Sequence, residues 1–442
     1  MVLLKNFVNI FFIPELRKKL FFTIAIVLVI HRFGCYVPVI GVNIDALREM
    51  MNQKTALGGL FAFFDLLSGG NLQKCTLFAL GISPYITSSI MMQMLTLSFP
   101  TLEQIAKDGE YGRKVINQYT RYLTFAMSVV QSLGFATLIE RYGLVLEPGW
   151  SFRILFMISL TVGSLFVMWL GEQISLYGLG NGSSMIIFSG IVARFPDDVI
   201  KTIVAVQQGY LDSLVAALVF LLAIAVAACI VFMERGERKI PVQYSRRVVG
   251  QRVYGGQSTF IPFKINTAGI MPVILASAVL NIPVFVLSFL ANRYESFKGL
   301  AESFGLGGLL YNVFTFFLIL FFSYFYTALV FNPDELSENL KKSGGFVPGI
   351  RPGKKTAEFF GYVLTRLGTI GAVYLAGLAL LPNIFHAVVA MPIYLSGIMS
   401  GTALLIAVGV ALDVASQIES YLIENRYEGF LMNGRLKGRG VR

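Results

Sequence analysis

Charge is scarce in this chain. Only 14% of its 442 residues are Asp, Glu, Lys or Arg, while 55% are hydrophobic. Soluble domains carry ~25% charged residues. A soluble globular protein is thereby excluded, and a polytopic membrane protein is expected. Histidine is nearly missing. His31 and His386 are the only two, and neither stands in a recognisable constellation, so no enzyme is expected. Cysteine is limited to Cys35, Cys75 and Cys229, all in or beside apolar runs. An odd count so placed argues for packing and against a disulfide framework.

Two further shortages narrow the function. Mid-membrane charge is nearly missing: Arg32 lies in span 1 and Asp413 near the end of span 10. Ion-coupled pumps rely on acidic relays in mid-membrane, so that class is disfavoured. The stretch GIRPGKKT (349–356) fails the phosphate-binding pattern G-x-x-x-x-G-K-[ST]: Lys355 follows Gly353-Lys354, and Pro348 stands where the first Gly belongs. No nucleotide site, cofactor or metal site is expected. Energy for directional work would come from elsewhere. The first apolar run, 20–39, is long and lacks a small-x-small site, so no cleaved signal is expected.

What the chain has is apolar runs, continuous rather than alternating. Helices are therefore expected instead of a barrel. Spans fall near 20–38, 75–95, 119–138, 154–170, 184–194, 213–233, 268–290, 310–331, 367–382 and 399–417. The fifth is short, and loop charge tests it, because Lys and Arg favour the cytoplasmic side. With ten spans and the N-terminus inside, cytoplasmic segments hold 26 of the 36 Lys and Arg, and outer segments hold 9. Omitting the fifth span gives a weaker split. With ten spans both termini are cytoplasmic. Two cytoplasmic loops are long, basic and rich in Gly or Pro: ERGERKIPVQYSRRVVGQRVYGGQ (234–257) and NPDELSENLKKSGGFVPGIRPGKKT (332–356). Their length points to a protein partner beyond anionic lipid.

Span 2 contains ALGISPYI (79–86) and span 7 contains TAGIMPVI (267–274). Gly81, Ile82, Pro84 and Ile86 match Gly269, Ile270, Pro272 and Ile274. The two spans are second in successive sets of five. Five is odd, so the halves insert with opposite orientation, the pattern of an inverted repeat with function at the interface of the halves. The two prolines predict kinks. Between spans 1 and 2 lies GGLFAFFDLLSGGN (58–71). Its nine residues from Leu60 to Ser68 would reach ~14 Å as a helix at ~1.5 Å per residue, about half of a ~30 Å bilayer core.

From about residue 14 onward the chain resembles the SecY family of protein-conducting channels. The motifs are LLSGGNLQKCTLFALGISPYITSSIMMQ (66–93), QYTRYLT (118–124), WLGEQISLYGLGNGSSMIIFSGIVA (169–193), VYGGQSTFIPFKIN (253–266) and NLKKSGGFVPGIRPGKKT (339–356). The stretch NIFHAVVAMPIYLSGIMSG before span 10 departs from the family pattern, and GTALLI restores it. The resemblance implies an all-α fold of ten transmembrane helices in two inverted, pseudo-symmetric five-helix halves, with a half-length plug helix. Residues 1–19 would be a cytoplasmic segment. Residues 20–206 would form the N-terminal half, with the plug at 59–74. Residues 207–422 would form the C-terminal half, with loops 234–267 and 332–366, and 423–442 a basic tail.

The family also implies roles for individual residues. An apolar pore ring would comprise Ile82, Ile86, Ile187, Ile191, Ile274 and Ile406. The plug would present Leu60, Phe61, Phe63, Phe64, Leu66 and Leu67. A lateral gate between spans 2–3 and 7–8 would include Ser88, Ser89, Gln93, Ser277 and Asn281. Docking of the motor SecA or the ribosome would use Arg246, Arg247, Arg351, Lys354 and Lys355. Expected partners are the small subunits SecE and SecG, signal peptides and nascent chains, and membrane lipid. The expected location is the inner membrane. The implied function is a passive channel for unfolded secretory chains that also releases apolar segments sideways into lipid.

Overall fold

The computed structural model describes residues 13–433, apart from 33, 45, 48–64, 66–67, 142, 210, 245–246, 250–251, 255–257, 292–293, 295–297, 305–307 and 390–400. Its long helices follow the expected spans. They are α1 (Pro14–Arg32), α2 (Ser83–Ser98), α3 (Gly109–Arg141), α4 (Trp150–Tyr177), α5 (Gly182–Gln207), α6 (Ser213–Arg235), α7 (Met271–Ala291), α8 (Leu309–Val330), α9 (Lys354–Val389) and α10 (Gly401–Asn433). Among the described residues, seven helices are long and apolar enough to cross a membrane: α1, α3, α4, α6, α8, α9 and α10. Helix α2 has 16 residues, or ~24 Å at ~1.5 Å each. The short fifth span belongs to a helix of 26 residues with Pro196 inside it.

The chain divides into two compact units. The first draws on residues 1–53, 61–197 and 406–442, the second on 54–60 and 198–405. In the first unit, α3 packs on both α2 and α4. The α3–α4 seam is lined with small hydroxyl side chains. Ser128 Oγ lies 3.5 Å from Ser164 Oγ, and Ser132 Oγ 3.5 Å from Thr161 Oγ1. Small side chains let membrane helices approach closely, and their hydroxyls bond back to their own helix, as Ser128 does to the Thr124 carbonyl at 2.6 Å.

The loop between α4 and α5 is clasped from two sides within this unit. The Leu179 N–H donates to Thr23 Oγ1 of α1 at 2.9 Å. The Gly180 N–H donates to Gln417 Oε1 of α10 at 2.9 Å. Leu16, Leu179, Leu20, Ile418 and Tyr421 pack around the clasp. The free cysteines Cys35 and Cys75 are buried, while Cys229 of α6 is exposed.

In the second unit, α8 packs against α7 and α9. Asn383 Nδ2 donates to Asn312 Oδ1 at 2.7 Å across the α8–α9 seam. The basic segment after α6 is a β ribbon, where the sequence pattern predicts only a loop. Strand β1 (Glu237–Tyr244) pairs antiparallel with β4 (Ser258–Lys264), from Glu237↔Lys264 to Gln243↔Ser258. A hairpin of β2 (Arg247–Val249) and β3 (Arg252–Tyr254) lies between them in sequence. The periodicity explains the strand: Ile240 and Val242 are buried while Lys239, Pro241 and Gln243 are exposed.

Helix starts also differ from expectation, for one reason in two places. The apolar runs place the start of span 2 at residue 75 and of span 7 at 268. Residues 77–82 are turns, and α2 begins at Ser83; α7 begins at Met271. Gly81 has φ +54° and Gly269 has φ +59°. A left-handed residue cannot continue a right-handed helix, and glycine takes that conformation without a Cβ clash. Pro84 and Pro272 then fall at the second helical position, where a missing N–H costs nothing. They open their helices rather than kinking them. Among the described residues, the prolines inside helices are Pro196, Pro283 and Pro382.

Candidate functional site

The twin starts place the candidate pore residues. Ile82 is the residue capping α2, and Ile86 lies in its first turns; its N–H donates to the Ile82 carbonyl at 3.1 Å. Ile274 occupies the matching place on α7 of the second unit, its N–H bonded to the Ile270 carbonyl at 3.3 Å. Ile187 and Ile191 lie in the N-terminal half of α5, and Ile406 in that of α10. Ile82, Ile86, Ile187 and Ile406 are buried, while Ile191 and Ile274 are half-buried. Gly171 of α4 makes room for this region. A Cβ there would lie 3.4 Å from Ile82 Cδ1 and 3.2 Å from Ile186 Cδ1.

The approach to α2 is a built turn. The Leu77 N–H donates to the Val37 carbonyl and the Val39 N–H to the Cys75 carbonyl, each at 2.9 Å. Gly163 of α4 is needed for this approach, since a Cβ there would meet the Leu77 carbonyl oxygen at 2.0 Å.

The expected plug contacts Leu60, Phe61, Phe63, Phe64, Leu66 and Leu67 lie outside the described residues. Asp65 and Ser68 of the same stretch are described, and Asp65 organises the turn that leads out of it. Its carbonyl accepts from the Gly70 N–H at 2.9 Å and from Ser68 Oγ at 3.2 Å. Its carboxylate Oδ1 accepts the Gln73 N–H at 3.0 Å, and Oδ2 accepts Arg194 Nη1 of α5 at 2.8 Å. The Asp65 side chain is fully buried, and that of Arg194 is 21% exposed. Burial pushes the Asp65 carboxyl up from the usual carboxylate range, and the Arg194 guanidinium and the Gln73 amide pull against that shift. Next along the chain, Gly69 (φ +72°) sits on Gly190, where a Cβ would meet the Gly190 Cα at 2.7 Å. The sequence pattern singles out neither ionic partner. The available signal is one acid inside an apolar stretch.

Of the candidate gate residues, Ser88 is buried and donates to the Pro84 carbonyl at 2.7 Å, Ser89 is half-buried and Gln93 is exposed. Ser277 donates to the Ile274 carbonyl at 2.9 Å. Asn281 lies on α7, and its side chain is outside the described residues.

The two basic loops form one platform with the foot of α9. Ile240, Val242 and Phe263 of the ribbon pack with Leu340, Val347, Phe360, Val363, Leu364 and Leu367 in a single buried cluster. A short helix (Pro333–Lys342) is capped by Asn332, whose Oδ1 accepts from the Asp334 N–H. Gly345 and Phe346 (β5) then pair with Tyr244 and Gln243. Val347-Pro348-Gly349-Ile350 is a tight turn closed by Ile350 N–H to Val347 carbonyl at 3.1 Å, with Gly349 at φ +82°. Arg351 comes next, exposed, its carbonyl held by Thr356 Oγ1 at 2.9 Å. Lys354 and Lys355 are exposed in the first turn of α9. Cations are electrostatically disfavoured there, and no acidic residue occupies that turn. Arg246 lies outside the described residues. Arg247 opens β2, and its side chain also lies outside them.

The ribbon is tied to the end of α6. The Ile265 N–H donates to the Gly236 carbonyl at 2.9 Å, and Asn266 Nδ2 donates to Glu234 Oε1 at 2.6 Å. Gly371 admits the ribbon's base against α9, since a Cβ there would lie 2.8 Å from the Ile265 carbonyl oxygen.

A family model described as SecY matches residues 76–415. The protein translocase subunit SecY of Aquifex aeolicus is 43% identical, covering 96% of this chain and 98% of the relative. That of Escherichia coli K12 is 42% identical, covering 96% of each. That of Thermus thermophilus is 42% identical over 99% of this chain and 100% of its own. Among solved structures, one described as the structure of a protein conducting channel has a TM-score of 0.65 at 18% identity, covering 91% of this chain and 92% of its own. Another, concerning the plug domain of the SecY protein, has a TM-score of 0.63 at 19% identity, with the same coverage. Those two likenesses establish the fold.

Proposed function

The chain belongs to the SecY family of protein translocase subunits, and from that premise we propose how its parts conduct a polypeptide. Two five-helix halves insert with opposite orientation, α1–α5 and α6–α10, and both termini face the cytoplasm of the inner membrane. The six isoleucines Ile82, Ile86, Ile187, Ile191, Ile274 and Ile406 form a collar that closes on a passing chain. Their β-branched side chains are stiff, so the collar keeps its shape, and its apolar surface excludes water and ions. The half-helix in 59–74 seals the collar when the channel is idle. Ser88, Ser89, Gln93, Ser277 and Asn281 line a side exit between the halves.

Costs explain why such a device is needed. A charged side chain at mid-bilayer costs ~2.5–3.5 kcal/mol on insertion scales. Each unsatisfied backbone group adds several kcal/mol more. A secretory chain needs a wet path, whereas an apolar segment gains by leaving sideways into lipid. The ribbon and the Arg351 loop dock SecA or the ribosome, which supply the directional work. SecE and SecG complete the assembly.

One observation carries this reading. The Gly-Ile-x-Pro stretches of the two halves adopt the same backbone, with glycine left-handed two residues ahead of the helix and proline in its first turn. Each repeat delivers candidate collar isoleucines at its helix start. Photo-crosslinking of a secretory precursor arrested in the channel tests the collar. Probes at positions 86, 187 and 406 should capture the precursor, while a probe at Phe232, exposed on α6, should not. Equal labelling at all four positions would overturn the collar.

A further inference from the structure

The pair Asp65–Arg194 joins residues 129 positions apart. It links the described end of the expected plug stretch to the span that carries Ile187 and Ile191. Asp65 alone could be read as a local staple, because its carbonyl and its Oδ1 bind Gly70, Ser68 and Gln73 of the same turn. Oδ2 goes elsewhere. It takes a charge-assisted bond at 2.8 Å from Nη1 of Arg194. The local turn has no need of that bond.

Four residues before Arg194, Gly190 meets Gly69 backbone to backbone. Residues four apart share one face of a helix. The same face of α5 therefore touches this stretch twice, once by close packing and once by charge. A fully buried carboxylate is expensive unless paired. Withdrawing Asp65 from Arg194 would strand it, so the contact resists small displacements.

We infer that Arg194 is a positioning residue that fixes the carboxyl end of the plug against α5, so that opening the channel requires this ion pair to break. The inference rests on the reading of residues 59–74 as a plug. It adds the residue that sets how firmly the plug is held. Signal-peptide entry would then have to supply the free energy of separating the pair, and Arg194 would set the threshold for opening.

Resting ion conductance of the purified channel complex in planar bilayers tests this. Arg194→Gln keeps a polar side chain but removes the charge and the reach of Nη1, and should raise resting conductance on the order of tenfold. Arg194→Lys keeps the charge and should restore most of the seal. Asp65→Asn should leak as well, while leaving Oδ1 to accept from Gln73. Combining Asp65→Asn with Arg194→Gln should add little to either alone, the signature of a broken pair. Deletion of 60–68 separates the pinning role from the plug itself. If the deletion leaks and Arg194→Gln stays sealed, the pinning role is overturned and the plug stands. If neither leaks, the plug reading falls and the inference with it. If Arg194→Lys leaks as much as Arg194→Gln, or the paired substitutions add in full, charge pairing is not what holds the segment.

Discussion

Asp65 Oδ2 and Arg194 Nη1 lie 2.8 Å apart, and the carboxylate is fully buried. The neighbouring Gly69–Gly190 contact is equally demanding. Gly69→Ala forces a Cβ to 2.7 Å from the Gly190 Cα at a backbone with φ +72°. The conformational strain alone is about 1–2 kcal/mol, and the clash adds to it. The variant should leak ions at rest while the proposed binding of SecA to the basic platform is unchanged. Single-channel recording with a motor-binding assay checks both parts.

The paired glycines should respond unequally. Gly81→Ala and Gly269→Ala each incur about 1–2 kcal/mol for a left-handed non-glycine residue. At Gly81 the new Cβ also meets the Ser68 Cα at 3.3 Å, while at Gly269 nothing lies within 4 Å. Thermal denaturation in detergent should therefore show a larger loss for Gly81→Ala. Equal losses would mean that the Ser68 backbone yields freely.

The proposed docking should depend on the buried side of the platform as well as on its charges. Phe263 is 1% exposed and packs with Phe331 and Phe360. Phe263→Ala should cost about 3–5 kcal/mol locally and weaken SecA binding with every basic residue intact. Limited proteolysis of the ribbon should accelerate in step. Arg351→Glu should instead leave proteolysis unchanged and impair motor-driven export more than ribosome-linked insertion.

The collar is tested by removing bulk. Replacing Ile86 and Ile187 together by Gly should raise ion leak through idle channels, because the side chains proposed to exclude water are gone. Unchanged conductance would count against a seal formed by these residues.

Much of this architecture is legible in the sequence. Ten apolar runs read as helices, because lipid satisfies no backbone group and the runs are continuous where a barrel's would alternate, and the Gly-Ile-x-Pro pair points to the repeat. What stays hidden is set by geometry. Pro84 and Pro272 suggest kinks, but only the left-handed Gly81 and Gly269 show that they open helices. The ribbon is obscured because Ile240 and Val242 alternate within a run dominated by Lys, Arg and Gln. Asp65 is visible as one acid in a greasy stretch. Its partner is not, since nothing local relates residues 129 apart.

Import of a precursor into sealed vesicles is the most direct measurement. The vesicles would carry this protein with SecE- and SecG-type subunits, and SecA and ATP would be added outside. A soluble secretory precursor should become protected from added protease, and protection should require both SecA and ATP. A precursor that stays fully digestible while SecA is bound to the vesicles would contradict a protein-conducting channel.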